Sequence, residues 1–329
     1  MKKVGIPRGL SYYEFYAAWK VFFEELGAEV VLSDRTSKKI IDDGVKACVD
    51  EACFAVKIFF GHVINLMGRA DCIFIPRLTS ISRNEYVCPK FGGLPDMVRG
   101  SIGGLPFIID AEINMRKDKN GGLKAAYEAG SFFTTDRALI RSAYNKAVKS
   151  GYGVLPAEAA APAGVLKNEG RLKIAVIGHG YNLYDSCLNM NLLNKIRAEN
   201  AEVITLDMLD RDSIIKRSGT IPKKMFWNFG SKAVGAAFCL LDRQDIDGIL
   251  YVMAFGCGVD SFVCDYVERL IRREKDLPFA VITLDEHSGE AGLNTRIEAF
   301  IDMIRWRKKN DINLPSHGQY LHHGESSAG

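Results

Sequence analysis

Short runs of apolar, β-branched residues alternate along the chain with longer segments whose apolar residues recur every three or four positions. Four of the short runs in the first half return in the second half in the same order and at a nearly constant offset. KVGI, AEVVLSD, ADCIFIPR and LPFIIDAE (3–6, 28–34, 70–77 and 105–112) match KIAVIG, AEVITLD, DGILYVMAF and LPFAVITLDE (173–178, 201–207, 247–255 and 277–286). The pattern indicates an internal duplication of strand and helix units.

Strands that alternate with helices are typical of βαβ units, which form parallel sheets. The sequence therefore predicts an α/β protein made of two duplicated, Rossmann-like, doubly wound domains. We expect an N-terminal domain over 1–150, an Ala, Gly and Pro-rich linker over 151–170, a C-terminal domain over 171–310 and a disordered polar tail over 311–329. A helix is expected over 135–149, just before the linker.

Composition narrows the functional classes. Hydrophobic residues make up 47% of the chain, charged residues 25%, and the formal net charge of +3 is too small to indicate a nucleic-acid partner. No apolar run approaches the roughly 20 residues of a membrane helix, and the N-terminus lacks the apolar core of a signal peptide. We expect a cytoplasmic protein without membrane contact.

Eight cysteines in 329 residues are too sparse for a disulfide scaffold, and none forms a Cys-x-x-Cys pair. Cys257 follows the third strand of the second half between Gly256 and Gly258, and Cys88 follows the third strand of the first half. Cys53 lies among charged residues in a segment predicted as one long helix between the second and third strands. Because ligands of open parallel sheets bind beyond the carboxyl ends of the strands, these three thiols are the candidate ligands of a soft metal, either zinc or an iron–sulfur cluster.

The other cysteines are weaker candidates. On one continuous helix the side chains of Cys48 and Cys53 would point about 140° apart, so the two could not easily share a site. Cys264 is expected to pack beneath the site, and Cys187 is a reserve ligand. Cys72 and Cys239 lie in apolar patterns and are predicted as core residues.

The segments DEACFAVK, YVCPKFGGLPD, GHGYNLYD, FGCGVDS and TLDEHSGEAGLNTRIEAFIDM resemble the 2-hydroxyacyl-CoA dehydratase superfamily, in particular its branch of activase-associated proteins. The resemblance implies paired Rossmann-like domains and an iron–sulfur cluster in the cleft, either [4Fe–4S] or a double cubane. By motif, the cluster cysteines of the family map onto Cys53, Cys88 and Cys257. The resemblance also implies an ATP-dependent activase as the electron donor, an acyl-CoA as substrate, and a homo- or heterodimer.

Three functions stay open at this point. The first is an iron–sulfur reductase or dehydratase component that takes electrons from an activase. The second is a non-catalytic cluster carrier or regulatory partner of such a system. The third is a metal-free protein that binds a phosphate-bearing ligand at the turns GIPRGLSY and GHGYNLYD, although neither turn fits G-x-G-x-x-G.

Several polar residues could contribute, each with a plain structural alternative. Asp285, Glu286, His287 and Glu290 follow the last strand and could act as acid–base groups, but capping of the next helix by Ser288 or its neighbours is the favoured interpretation. His62 is interpreted as a hydrogen-bonded core residue. Lys57, Lys90 and Arg77 could offset cluster charge or bind CoA phosphates, but solvated faces of proteins also carry such residues.

Overall fold

The first half of the molecule contains a four-stranded parallel sheet. The structure is a computed structural model that describes residues 1–151, 171–221 and 223–310. The sheet is formed by β1 (Lys3–Ile6), β2 (Glu29–Leu32), β3 (Cys72–Phe74) and β5 (Phe107–Ile109), in the order β2-β1-β3-β5. A second, two-stranded parallel sheet pairs β4 (Arg77–Ser80) with β6 (Glu112–Asn114) just beyond it.

Helices connect these strands, as parallel pairing requires. They are α1 (Tyr12–Glu25), α2 (Lys38–Ala47), α3 (Phe54–Leu66), α4 (Pro89–Ser101), α5 (Gly121–Gly130) and α6 (Arg137–Lys149). The helix predicted over 135–149 is confirmed by α6.

The second half repeats the plan of the first. Its strands are β7 (Leu172–Gly178), β8 (Ala201–Thr205), β9 (Gly248–Ala254) and β10 (Phe279–Leu284), and their order β10-β9-β7-β8 is that of the first sheet when read from the opposite edge. The helices are α7 (Gly180–Tyr184), α8 (Leu192–Ala198), α9 (Arg211–Ser218), α10 (Asn228–Leu241), α11 (Gly258–Glu274) and α12 (Glu290–Asn310), with a short 3-10 helix at Leu206–Met208. All eight strands predicted from the repeat are present.

Both faces of the second sheet are buried. Along β7, Ile174 and Val176 pack into one apolar cluster, whereas Ala175 and Ile177 pack into another on the opposite face. Alternate strand residues point to opposite faces, so helices must cover both. The predicted α/β class with doubly wound parallel sheets is confirmed.

One apolar cluster is continuous between the two halves. It contains Val4 and Ile6 of the first sheet together with Ile174 and Val176 of the second. The two sheets therefore share one apolar core, although among the described residues no strand of one is hydrogen-bonded to a strand of the other. The predicted linker over 151–170 and tail over 311–329 fall almost entirely outside the described residues, and the domain boundaries stay a prediction.

The expected long helix around Cys53 is wrong. The chain breaks between α2 and α3, so Cys48 ends one helix and Cys53 begins the next. The two helices pack so closely that a β-carbon on Gly44 would lie 2.0 Å from the carbonyl oxygen of Lys57. The argument that separated Cys48 from Cys53 by helical angle therefore does not hold.

No helix among the described residues is long and apolar enough to span a bilayer.

Candidate metal centre

The three candidate cysteines line one cavity. Cys53, Cys88 and Cys257 come from segments far apart in the chain, and the cavity between them has a volume of about 60 Å³. Its other walls are mostly apolar and aromatic. They comprise Leu10, Ser11, Glu14, Phe15, Val56, Leu78, Ile81, Tyr86, Val87, Lys90, Phe91, His179, Tyr181, Trp227, Asn228, Phe229 and Val259.

Each of the three cysteines is the residue that immediately precedes a helix. Cys53 precedes α3, Cys88 precedes α4 at Pro89, and Cys257 precedes α11 after the turn that follows β9. Pro89 suits a first helical position because its missing N–H would have no partner inside the helix there. The cavity thus lies where three helices begin, on the carboxyl side of β9, as expected for an open parallel sheet.

Backbone contacts between the halves hold these segments together. The N–H of Phe54 donates to the carbonyl of Phe255 at 3.0 Å, which ties the start of α3 to the turn before Cys257. The N–H of Tyr86 donates to the carbonyl of Phe226 at 3.0 Å, and the N–H of Asn228 donates back to the carbonyl of Tyr86 at 2.9 Å. Because backbone groups fix position more strictly than long side chains, the loop before Cys88 is fixed against the second half.

Gly256 is required by this arrangement, whereas Gly258 is not. Gly256 has φ +76°, and a β-carbon there would lie 3.2 Å from the Cα of Cys53. An ordinary side chain at this position would be strained by the positive φ and would press against Cys53. A β-carbon on Gly258 would meet no atom within 4 Å, so the sequence-based argument from two flanking glycines is right for only one of them.

A buried ion pair joins the halves beside the site. Lys57 Nζ lies 2.5 Å from Glu286 Oε1, and the two side chains are 7% and 15% exposed. Lys57, one of the cations considered for cluster charge, thus has a carboxylate partner. Lys90 lines the cavity and donates to the carbonyl of Glu51 at 3.0 Å.

The thiols are electrostatically coupled. Burial raises the pKa of all three, and in Cys257 the neighbouring Asp260 and the other two thiols raise it further. The same thiols, after burial and Asp260, raise the pKa of Tyr181. Lys90 acts in the opposite direction on Cys53 and Cys88. Thiols with raised pKa values are protonated near neutral pH unless a metal ion replaces the proton.

Two polar residues at the site were not found from the sequence. His179 lines the cavity, and one ligand atom from each of His179, Cys257 and Asp260 lies within 4.8 Å of the other two. His179 follows the carboxyl end of β7, in the GHGYNLYD segment. Its place after a strand was the available signal, but only the fold brings it to Cys257.

The remaining cysteines do not line this cavity. Cys187 lies in the turn after α7, Cys264 is buried in α11 among the core residues of the second half, and Cys48 ends α2. Cys72 is buried, as predicted for a core residue, whereas Cys239 is only half-buried on α10. Cys48 is nevertheless close enough to Cys53 for the Cys53 thiol to contribute, after burial, to raising the pKa of Cys48.

The polar cluster after β10 has structural partners. Glu286 pairs with Lys57, and Glu290 pairs with Lys195 at 2.6 Å. Ser288 Oγ accepts from the N–H of Asp285 at 3.2 Å and so closes the loop before α12. Arg77 pairs with Asp96 and with Asp110.

His62 is a fully buried, hydrogen-bonded residue. Its Nδ1 lies 2.9 Å from Ser33 Oγ and its Nε2 lies 3.0 Å from Thr36 Oγ1, which also donates to Asp185 in the second half. Burial, followed by the charge of Arg8, lowers the pKa of His62 to about 3. It is therefore neutral, and it does not line the cavity of the three cysteines.

The cavity suits a small inorganic group. By the same measure of volume a single water molecule needs about 10–15 Å³, whereas pockets for organic ligands usually reach about 300–1,000 Å³. Three convergent thiols in mostly apolar walls are donors for a soft metal centre. The residues present therefore fit an iron–sulfur cluster better than a nucleotide or a CoA ester.

Two family models match this chain. Residues 3–209, more than half of the chain, match the family model described as CoA enzyme activase uncharacterised domain. Residues 234–304 match the model of the 2-hydroxyglutaryl-CoA dehydratase D-component. No curated protein sequence matches the chain. Among solved structures, the glycosyltransferase SnogD from Streptomyces nogalater aligns over 92% of this chain and 94% of its own, with 11% identity and a TM-score of 0.20.

Proposed function

Because the chain belongs to the family of the CoA enzyme activase uncharacterised domain, we propose that it is an iron–sulfur protein of the dehydratase type. In this proposal Cys53, Cys88 and Cys257 hold the cluster, an ATP-dependent activase donates low-potential electrons, and a small acyl-CoA is the substrate. The observation that carries the proposal is the convergence of these three thiols on one cavity.

The cavity favours a single [4Fe–4S] cluster over a double cubane. Three cysteines line it, and the five others in the chain do not. A larger cluster would need more thiolates than the cavity presents. When bound, the cluster would supply one-electron transfer at low potential.

The surrounding residues have defined tasks in this proposal. The aromatic and aliphatic walls exclude water, which protects a reduced centre and lowers the local dielectric constant. The backbone N–H of Asp260 donates to Cys257 Sγ at 3.4 Å, and hydrogen bonds to ligand sulfur set the reduction potential of such centres. The cation of Lys90 lies in the cavity wall, where it offsets anionic charge.

The size of the cavity favours a second candidate function. An acyl-CoA cannot enter a space of about 60 Å³, so a CoA substrate would have to reach the centre from outside the described walls. A protein that carries electrons without binding substrate needs no larger space. The phosphate-binding alternative has less support, because α7, which follows one of the two turns, has only five residues.

Anaerobic reconstitution with iron and sulfide tests the cluster. We expect iron and acid-labile sulfide to bind to the wild-type chain, and Cys53→Ser, Cys88→Ser and Cys257→Ser each to lower iron content severely. A hydroxyl is a hard and weakly acidic ligand that replaces a thiolate poorly. Cys239→Ser is the matched control and should retain full iron content. Equal iron content in all four variants would exclude this ligand set.

Reduction by the activase separates the two candidate functions. The reconstituted chain should be reduced by an ATP-dependent activase in the presence of ATP, as followed by the loss of visible absorbance. Turnover of a 2-hydroxyacyl-CoA after reduction would support the catalytic form. Reduction without turnover, followed by electron transfer to a second protein, would support the carrier.

A further inference from the structure

We infer that the imidazole of His179 supplies a fourth protein ligand to the metal centre and that the carboxylate of Asp260 positions it. The inference rests on the proposed function and extends it, since the resemblance and the family models indicate only cysteines. It is carried by the arrangement of His179, Cys257 and Asp260, whose ligand atoms lie within 4.8 Å of one another.

The ring of His179 is held in the cavity wall. It stacks on Phe229 with ring centroids 3.5 Å apart and on Tyr181 with centroids 4.7 Å apart. The side chain is 13% exposed. A ring packed between two others loses little conformational freedom when it binds a metal, so the position is prepared for a ligand.

Asp260 contacts His179 but does not itself line the cavity. It is completely buried and is not among the lining residues, whereas His179 is. Its Oδ1 lies 3.4 Å from Nε2 of His179 and accepts a hydrogen bond from the hydroxyl of Tyr251 at 3.2 Å. A carboxylate that contacts one ring nitrogen leaves the other nitrogen as the metal donor, which is the common arrangement of metal-binding histidines.

The carboxylate of Asp260 is buried and incompletely hydrogen-bonded, so a nearby positive group would stabilise it. Among the described residues Oδ2 has no hydrogen-bond partner, although the residue is fully buried. A buried carboxylate is costly unless a partner compensates it. An imidazole bound to a metal carries partial positive charge, and Nε2 of His179 faces Oδ1, so ligation by His179 would help to compensate the charge of the carboxylate as a whole.

No cysteine competes for this fourth position. Among the residues that the structure describes, the cavity walls contain three cysteines, one histidine and one carboxylate, that of Glu14. Coordination by three thiolates and one imidazole would make the resting centre complete, and replacement of a thiolate by histidine raises the potential of iron–sulfur centres. A substrate that binds iron would then have to displace His179.

Pulsed electron paramagnetic resonance of the reduced, reconstituted chain tests the inference. We expect a strong hyperfine coupling to one imidazole nitrogen. Labelling of the histidines with ¹⁵N should replace the ¹⁴N coupling pattern by that of ¹⁵N. His179→Phe keeps an aromatic ring for stacking but removes both nitrogens. It should retain most of its iron and lose the coupling. His287→Phe changes an exposed histidine outside the cavity wall and should keep the coupling.

The outcomes separate this inference from the proposed function. A cluster that forms without nitrogen coupling in the wild type, or with coupling unchanged in His179→Phe, overturns the inference and leaves the three-cysteine cluster standing. Failure to bind iron and sulfide overturns both. Asp260→Asn should keep the cluster but alter the size of the nitrogen coupling. An unchanged coupling would show that Asp260 does not position His179.

Discussion

At the scale of single residues, Gly256 connects backbone geometry to the site. Its positive φ and its approach to the Cα of Cys53 place the turn after β9 directly against the start of α3. The neighbouring Gly258 is the first residue of α11, and a β-carbon added to it would meet no atom within 4 Å. Alanine substitutions at Gly256 and Gly258 can therefore be compared to test why Cys257 follows a glycine.

Gly256→Ala should destabilise the protein by about 1–3 kcal/mol, because the new methyl group meets Cys53 and the backbone conformation is unfavourable for alanine. We also expect reduced iron content, since Cys53 and Cys257 must separate. Urea denaturation and iron analysis measure the two effects. Gly258→Ala is the control and should change stability by less than about 0.5 kcal/mol. Equal effects at the two positions would contradict this account of the turn.

His62 predicts a specific loss of stability in acid. Its pKa in the folded protein is about 3, compared with 6.5 for the free side chain, so the unfolded chain binds the extra proton between these values. The stabilisation is complete above pH 6.5 and is lost progressively as the pH falls toward 3. At pH 5 the loss should reach ~2 kcal/mol.

The His62→Gln variant isolates this contribution, because an amide can still bond to Ser33 and Thr36 but does not titrate in this range. Urea denaturation at pH 7 and pH 5 should show a smaller loss of stability in the variant by ~2 kcal/mol. Groups such as Asp185, whose pKa is raised by burial, titrate in both proteins and largely cancel in the comparison. An identical pH dependence in the two proteins would refute the assignment to His62.

At the scale of elements, the crossing of α2 and α3 sets the position of Cys53. A β-carbon on Gly61 would lie 1.8 Å from the carbonyl oxygen of Ile40, just as one on Gly44 would meet Lys57. The two helices therefore cross with their backbones nearly in contact. The chain between them has Cys48 at one end and Cys53 at the other, so the position of Cys53 depends on this crossing.

Gly61→Ala should force the two helices apart and displace Cys53 from the cavity. We expect a loss of stability of several kcal/mol, beyond the ~1–3 kcal/mol typical of an overpacked site, because the clash is with backbone. Thermal denaturation and iron content are the measurements. Gly100→Ala, on an exposed face of α4 with no atom near the added carbon, should be neutral or slightly stabilising. Tolerance of Gly61→Ala would show that the helices can separate freely.

The sequence predicts the eight strands of the two main sheets because short, β-branched runs repeat in order. It fails between 35 and 66, where apolar periodicity continues through the break at Cys48 to Cys53 and hides the turn. The small sheet of β4 and β6 escapes detection because RLTS and EIN carry little apolar signal. Cys53, Cys88 and Cys257 could be proposed from their positions, but His179 and Asp260 are ordinary polar residues whose proximity only folding creates.

At the scale of the whole molecule, a few strong contacts hold the halves in one arrangement. The buried pair of Lys57 and Glu286 is the most testable of them, because the two residues are 229 positions apart and lie in different halves. Its two charges have little access to water. Such a pair fixes orientation more than it adds net stability.

Lys57→Met should destabilise the protein by ~3–5 kcal/mol, because it leaves the carboxylate of Glu286 buried without its partner. The double variant Lys57→Met with Glu286→Leu should recover much of that loss, since no uncompensated charge remains. Urea denaturation of the wild type, the single variants Lys57→Met and Glu286→Leu, and the double variant completes a double-mutant cycle. Lys38→Met, at an exposed pair with Asp42, should cost less than about 1 kcal/mol. If the changes in the free energy of unfolding caused by Lys57→Met and Glu286→Leu simply add in the double variant, the two residues are not coupled.

The separation of the two sheets along the chain has a consequence for the order in which the molecule forms. Every strand of the first sheet lies within Lys3–Ile109 and every strand of the second within Leu172–Leu284, so each sheet can close from neighbouring segments of a growing chain. Cys53 and Cys257, by contrast, lie in different halves, about 200 positions apart in sequence, and contacts of such long range form late. We expect the cysteine cavity to be the last part of the native structure to assemble, so that a cofactor enters a chain whose two sheets have already folded.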